Sequence, residues 1–168
     1  MPAKHKPQRR SSCPVNASLE ILGDRWSLLI IRDLMLRSYR TYKELLSSDE
    51  GIATNILAER LQRFEAAGII TTSRDAEDRR KVVYRLTAKG IDLAPILVEL
   101  ILWGAQHEET DAPPAAIRKM RARREQFLSE IRRNWEEGGT AAFIAGASNE
   151  ATASPPPRAS ISSRKLHQ

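Results

Sequence analysis

The sequence predicts a mainly α-helical domain that carries one small β-hairpin, and three observations lead to this fold class. Apolar residues recur at helical spacing in GIATNILAERLQRFEAAGII, residues 51–70. The pattern then changes to a loose, β-branched alternation over residues 69–86. A long apolar segment resumes after Thr87 and continues to about residue 107. We therefore expect several helices with a two-stranded hairpin between them.

The helix predicted over residues 54–67 has one apolar and one polar side. At about 100° per residue, Leu57, Leu61 and Phe64 fall together on the apolar side. Such a stripe is typical of a helix that packs on a core. The opposite side carries the polar residues Asn55, Glu59, Gln62 and Arg63.

A hairpin is predicted directly after this helix. The helix is expected to end at Gly68, because glycine adopts the left-handed conformation at low cost, with Ile69 reaching back to Phe64. The β-branched segment IITTSR, the turn DAED and the segment RRKVVYRL then predict two strands. Basic side chains follow the turn at Arg79, Arg80 and Lys81.

Three helices are predicted before residue 51. Pro14 suits the first position of a short helix that runs to about Leu22, with Cys13 before it. Asp24 is placed to cap a second helix, whose segment WSLLIIRDLML is apolar enough to be central. Thr41 is placed to cap a third helix, TYKELLSS.

The segment after Thr87 predicts one long helix to about His107, bent at Pro95. From Ile91 to Trp103 it is apolar on all sides except at Asp92 and Glu99, and such a helix cannot face water. One small domain covers only one of its sides, so we expect a second subunit to cover the other. The expected dimer interface comprises Leu93, Ile96, Leu97, Leu100, Ile101 and Trp103.

The rest of the chain predicts flanking segments around this domain. A last amphipathic helix is expected over about residues 114–137, packed on the dimer or on its own domain. The terminal segments have too little bulky apolar content to fold alone. The expected organisation is a disordered basic N terminus (1–12), a helical domain with a dimerisation helix (13–107), a charged amphipathic C-terminal helix (108–137) and a disordered tail (138–168).

Composition and charge limit the classes of function. The net charge of +6 suggests an anionic partner, but residues 13–110 carry 13 Lys and Arg against 15 Asp and Glu, so the basic patches must be local. The single cysteine excludes an internal disulfide and a thiolate-rich metal site, and we expect no metal or cofactor. The sequence contains no phosphate-binding glycine loop, no HExxH motif and no nucleophile with a base at a recognisable spacing, so we do not expect an enzyme. Without a signal peptide or a membrane-spanning segment, we expect a cytoplasmic protein with no membrane partner.

The order of the predicted elements is that of a winged helix-turn-helix domain, with the hairpin as the wing. In that arrangement a helix enters the major groove of double-stranded DNA and the wing places cations on nearby phosphates. Residues about 54–67 are the expected recognition helix, and residues about 74–81 are the expected wing contact with the backbone or minor groove. The candidate DNA-binding residues are Thr54, Asn55, Glu59, Arg63, Arg40, Thr41, Lys43, Arg79, Arg80 and Lys81.

Three segments occur in order within residues 13–107: CPVNASLEILGDRW, GIATNILAERLQRFEAAGII and YRLTAKGIDLAPILVELILWG. Together they resemble the HxlR-type bacterial transcriptional regulators, a family related to the MarR group. The resemblance implies a homodimeric winged-helix repressor or activator of transcription. The wing departs from the family pattern, because DRRKVVY stands where members often have a Pro-Pro-Arg-aromatic stretch.

Two further questions stay open at the level of sequence. Some HxlR-type regulators use an N-terminal cysteine to sense oxidants or electrophiles, so the resemblance makes Cys13 a redox-sensing candidate; the alternative is a small residue packed under the dimer helix. An unidentified small-molecule or oxidant effector is left open with it. The alternative to a sequence-specific regulator is a winged-helix module that binds protein or coats nucleic acid without reading its sequence.

Overall fold

A computed structural model of the protein describes residues 11–139 and 142–144. The fold class is confirmed: these residues are mainly α-helical and include one two-stranded antiparallel hairpin. Of the segments predicted to be disordered, 1–12 and 138–168, residues 1–10, 140–141 and 145–168 lie outside the described residues. The elements are α1 (Pro14–Leu22), α2 (Arg25–Leu36), α3 (Tyr42–Leu46), α4 (Thr54–Ala66), β1 (Ile70–Arg74), β2 (Val82–Leu86), α5 (Ala88–Ile91), α6 (Ala94–His107), α7 (Pro114–Ala122) and α8 (Arg124–Glu136).

The helix starts follow the predicted caps. The Asp24 carboxylate accepts hydrogen bonds from the backbone N–H groups of Trp26 and Ser27 at the start of α2. Burial opposes the charged form, but the hydrogen bonds from Ser27 and the backbone outweigh it and lower the pKa of Asp24. Thr41 and Glu44 form a reciprocal capping box at the start of α3. These caps fix the residues at which α2 and α3 begin.

The predicted end of α4 and the hairpin are confirmed. Gly68 has φ +68°, and the backbone N–H of Ile69 donates to the Phe64 carbonyl over 2.8 Å, as in a Schellman cap. Strands β1 and β2 pair from Ile70 with Leu86 to Arg74 with Val82.

The single helix predicted from Thr87 to His107 is wrong. Thr87 does cap a helix, but that helix is the short α5, and α6 begins separately at Ala94. Pro95 lies in the first turn of α6 rather than inside a continuous helix. Its missing N–H costs nothing there, because the N–H groups of a first turn have no partner within the helix.

The single helix predicted over about residues 114–137 is also wrong, because α7 ends at Ala122 and α8 starts at Arg124. Arg123 between them has φ −136° and ψ 48°, outside the helical region. Both helices pack on their own domain: Met120, Phe127 and Ile131 are buried in the common core.

One core joins the helices of the domain. Ile31 and Leu34 of α2, Phe64 of α4, Val98 of α6 and Ile131 of α8 are each at most 1% exposed. Burying side chains of this size stabilises a fold by roughly 1.5–3 kcal/mol each. The C-terminal helices are therefore part of the domain that carries α4 and the hairpin.

The start of the predicted disordered tail belongs to this fold. Residues 138, 139 and 142–144 are described, and Phe143 and Ile144 pack against the core. Their backbone N–H groups donate to the carbonyl of Leu36 at the end of α2. None of the helices among these described residues combines the length and the apolar character of a membrane-spanning segment.

Candidate nucleic-acid interface

Helix α4 is held to the core by one side and open on the other. Leu57, Leu61 and Phe64 are buried, whereas Thr54 and Asn55 in its first turn are exposed. Because the buried side chains are at most 4% exposed, the rotation of α4 about its axis is fixed. The helix therefore presents a defined polar surface.

The candidate residues along α4 differ in how far they are already engaged. Thr54 and Asn55 are exposed at the N-terminal end, where recognition helices contact base edges. Glu59 is about half exposed and lies 3.6 Å from Arg60 and 3.8 Å from Arg63. Arg63 also donates to the Glu20 carbonyl over 2.9 Å.

Arg40 is the candidate whose surroundings differ most from the expectation of a phosphate contact. Its guanidinium donates to the carbonyl of Leu34 over 2.7 Å, to that of Tyr39 over 3.1 Å and to that of Gly139. Burial lowers the pKa of Arg40, and the positive charge of Arg85 lowers it further. Its donors are directed at the protein, so the side chain joins α2 to the segment after α8.

The other two candidates beside α3, Thr41 and Lys43, differ in whether their side chains are already engaged within the protein. The Thr41 side chain accepts from the backbone N–H of Glu44 at 3.3 Å and donates to the Glu44 carboxylate at 2.8 Å, so its hydroxyl is used by the cap. Lys43 is exposed. Of the set Arg40, Thr41 and Lys43, the lysine is thus the side chain open to a phosphate.

The wing, which we define as residues 70–86, carries its basic cluster at the turn. Arg79, Arg80 and Lys81 are exposed, and the Arg80 side chain is 93% exposed. Asp78 lies 3.1 Å from the Arg80 guanidinium, and the hydrogen bonds from Arg80 lower the pKa of Asp78. The turn therefore presents three cations beside three carboxylates, those of Asp75, Glu77 and Asp78, which offset part of their charge.

A buried ion network that the sequence analysis missed fixes the loop before α4. Asp33 is 3% exposed and lies 2.8 Å from Arg32 and 3.4 Å from Arg37. Arg32 in turn lies 2.8 Å from Glu50 in the loop. The i, i+4 spacing of Asp33 and Arg37 was the signal available in the sequence.

Tyr42 is a second residue that the sequence analysis missed. Its hydroxyl donates to the Thr54 carbonyl over 2.8 Å, which joins the start of α3 to the start of α4. The two residues are twelve positions apart in the chain, and no local sequence pattern indicates their contact.

The predicted dimer residues divide into buried and exposed sets. Leu97 is 4% exposed and belongs to the core of its own subunit, and Leu93 and Ile101 are partly buried. Ile96, Leu100 and Trp103 are 45%, 47% and 57% exposed. These three residues follow at i, i+4 and i+7 and form one stripe on α6, which we call the α6 stripe.

Cys13 lies at the start of α1 and is exposed. Its backbone occupies the cap position before Pro14, but its side chain makes no capping hydrogen bond. Among the described residues, no group of three or more His, Cys, Asp or Glu side chains is arranged to hold a metal ion.

The comparisons with known proteins agree with this geometry. The family profile described as HxlR-like helix-turn-helix matches residues 21–112. The chain is 36% identical over 95 residues to the HTH-type transcriptional regulator YodB of Bacillus subtilis, which is 56% of this chain and 84% of YodB. It is 32% identical over 100 residues to the uncharacterised HTH-type transcriptional regulator sll1512 of Synechocystis sp., which is 60% of this chain and 73% of that protein.

A solved structure shares the fold. The redox regulator HypR in its oxidised form matches with a TM-score of 0.52 at 26% identity, over 58% of this chain and all of that one. The family and these relatives are transcriptional regulators rather than enzymes, in agreement with the prediction from sequence. With a matching profile over more than half of its length and a helix-turn-helix followed by a wing, the chain belongs to the HxlR-like helix-turn-helix family of transcriptional regulators.

Proposed function

We propose that this protein is a homodimeric, sequence-specific DNA-binding regulator of transcription. Helix α4 would enter the major groove, and wing residues 74–81 would lie on the backbone or in the minor groove. The observation that carries this proposal is the contrast within α4, where Leu57, Leu61 and Phe64 fix the helix while Thr54 and Asn55 stand exposed at its start.

The chemistry of the exposed residues suits base recognition. The Asn55 amide offers one donor and one acceptor, the pair that matches the major-groove edge of adenine. Glu59 has carboxylate oxygens that accept from the amino group of cytosine. Arg63 remains partly exposed and is suited to a guanine or a phosphate at the far end of the helix.

The wing and Lys43 suit phosphate binding. Arg79, Arg80 and Lys81 are exposed at the turn of the hairpin, and phosphate contacts of this kind position a protein without reading sequence. The mixed charge of residues 13–110 means that this local cluster, rather than the charge of the whole domain, would attract the duplex.

The α6 stripe supports a homodimer. Ile96, Leu100 and Trp103 are large apolar side chains on one helix face, and exposed patches of this kind mark interaction sites. A two-fold axis through the stripe would present two α4 helices, with half-sites about one helical turn apart.

Selection of bound sequences from random DNA tests the proposal directly. The full chain is expected to enrich one motif with two-fold symmetry. Enrichment of no motif would favour the alternative, a winged-helix module that binds protein or coats nucleic acid.

A truncated protein separates these two functions further. Residues 1–12 and 145–168 are removed, while Phe143 and Ile144 are kept because they pack on the core. Retained sequence preference supports the regulator, whereas loss of all binding supports a coat formed by the basic ends.

A second proposal concerns control by oxidants through Cys13. The thiol is exposed at the start of α1, and HypR, which shares the fold, is a redox regulator. We expect an oxidant such as diamide to change DNA affinity in the wild type and not in Cys13→Ser. If the DNA affinity of the serine variant responded to the oxidant as that of the wild type does, this role would be rejected.

A further inference from the structure

The segment after residue 112 lies outside the family match yet contacts the DNA-binding part of the fold. The family match ends at residue 112, and α7, α8 and residues 138–144 follow it. Three residues of this segment make these contacts: Trp135 with the wing, Gly139 with Arg40 beside the wing, and Phe143 with the end of α2. We call Trp135, Gly139 and Phe143 the C-terminal clamp.

The first contact is with the base of the wing. The indole Nε1–H of Trp135 donates to the backbone carbonyl of Leu86 over 2.7 Å. Leu86 is the last residue of β2 and pairs with Ile70 at the start of β1. Helix α8 therefore holds the point at which both strands of the wing leave the domain.

The second contact reaches the wing through Arg40. The Arg40 guanidinium donates to the Gly139 carbonyl, while its backbone carbonyl accepts from the N–H of Tyr84 in β2 over 2.7 Å. The next residue, Thr41, forms a β-bridge with Val83. Arg40 thus connects the segment after α8, through its side chain, to strand β2 of the wing, through its backbone carbonyl.

Gly139 is suited to this contact because it has no side chain. Its φ is +72°, and a methyl group at this position would overlap the Arg40 guanidinium. Beyond Gly139, the N–H of Phe143 donates to the carbonyl of Leu36, the last residue of α2, over 2.6 Å. Phe143 also packs edge-on against Phe127 of α8 at 5.5 Å between ring centres.

We propose that Trp135 and Gly139 are positioning residues for the wing: they set its orientation relative to α4 and thereby determine how many wing cations reach the DNA backbone. A two-stranded hairpin is marginally stable alone, so its direction depends on what supports its base. The clamp supports that base from outside the family region. This inference rests on the proposed function.

Trp135→Phe tests the inference, because it keeps an aromatic ring and removes the donor to Leu86. This hydrogen bond lies within the protein, so its loss weakens binding by lowering the fraction of molecules whose wing is oriented for DNA. If that fraction falls by the free energy of one hydrogen bond, the affinity for the selected DNA becomes about three- to tenfold weaker. If the wing loses a phosphate contact, the slope of log K against log salt becomes shallower by about 1. In a background with Arg79, Arg80 and Lys81 changed to Gln, Trp135→Phe is expected to have no further effect.

A matched control and an independent readout complete the experiment. Lys119→Gln removes the 2.8 Å pair between α7 and Glu130 of α8, away from the wing, and should leave affinity and slope unchanged. Hydrogen exchange of the backbone amides in β1 and β2 should be faster in Trp135→Phe and unchanged in Lys119→Gln. This readout needs no DNA.

The outcomes separate the inference from the proposed function. Wild-type protein without sequence preference would reject the proposed function, and the exchange data would still test the support of the wing. Wild-type preference with unchanged affinity, slope and exchange in Trp135→Phe would reject the inference. The inference would also be rejected if Trp135→Phe weakened DNA binding equally in the background that lacks the three wing cations. If Trp135→Phe does not fold, Gly139→Ala, which displaces Arg40, replaces it with the same expected results.

Discussion

Arg63 of α4 donates a hydrogen bond to the main-chain carbonyl of Glu20 in α1, with 2.9 Å between nitrogen and oxygen. Its guanidinium also lies 3.8 Å from the Glu59 carboxylate. Arg63, in the C-terminal half of α4, is thus engaged within the protein, whereas Asn55 stands exposed in the first turn. Base preference should therefore be concentrated at the N-terminal end of the helix.

Asn55→Ala is expected to relax preference at one base pair of each half-site. Loss of a bidentate contact to a base costs about 1–3 kcal/mol of discrimination. Arg63→Ala should change preference less, because DNA must first displace its contacts with Glu20 and Glu59. Binding measured against single-base variants of the selected sequence provides the comparison.

A matched control removes an amide from a remote helix. Gln126 lies exposed on α8, so Gln126→Ala should leave base preference unaltered. A greater loss of preference from Arg63→Ala than from Asn55→Ala would contradict the assignment of the N-terminal end.

Arg80→Ala is expected to weaken binding to all sequences by a similar factor. The side chain is 93% exposed at the turn of the wing, and a phosphate contact carries no sequence information. The salt dependence should lose about one unit of slope. Arg118→Ala removes the same charge from an exposed position on α7 and should change neither quantity. A sequence-selective loss in Arg80→Ala would instead indicate a base contact.

Local chemistry explains why much of the fold could be predicted. Asp24, Thr41 and Thr87 cap helices with their own side chains, and Gly68 takes a left-handed conformation that few other residues adopt. Each signal lies within a few residues of the structure it specifies. The exposed turn at Arg80 follows from the same local patterns.

Contacts between distant segments explain what could not be predicted. Arg40 was expected to bind phosphate because it precedes a helix, but its partner Gly139 lies 99 residues away. Tyr42 and Thr54 meet through a backbone carbonyl that no side-chain pattern reveals. The position of Pro95 depended on where a break between two helices falls, which periodicity alone does not define.

Leu100→Glu is expected to convert the protein to a monomer. Leu100 is 47% exposed in the middle of the α6 stripe, and a charge there would be buried without a partner if two copies met along it. Sedimentation across a range of concentrations would measure the change, and affinity for a two-half-site DNA should fall with it.

The control for this prediction is Ala115→Glu, at an exposed position of α7. It adds the same charge and should leave the association unchanged. A Leu100→Glu protein that still sediments as a dimer would place the interface on another surface.

Glu44→Gln is expected to lower stability at neutral pH and to matter less in acid. Its carboxylate accepts from the backbone N–H groups of Arg40 and Thr41, over 2.9 Å and 2.7 Å. Burial opposes the charged form, but these hydrogen bonds, with that from the Thr41 hydroxyl, lower the pKa of Glu44 from 4.5.

The direction of the pH dependence follows from that lowered pKa. Because the folded pKa lies below the unfolded value, the stabilisation is present above about pH 4.5 and is lost as the pH falls through the folded pKa. Loss of such a cap costs about 1 kcal/mol. Urea unfolding of both proteins at pH 7 and at successive lower pH values should show the difference shrinking below pH 4.5, with the exposed Glu109→Gln as control. A difference of constant size at every pH would mean that the shape of the side chain, rather than its charge, stabilises the start of α3.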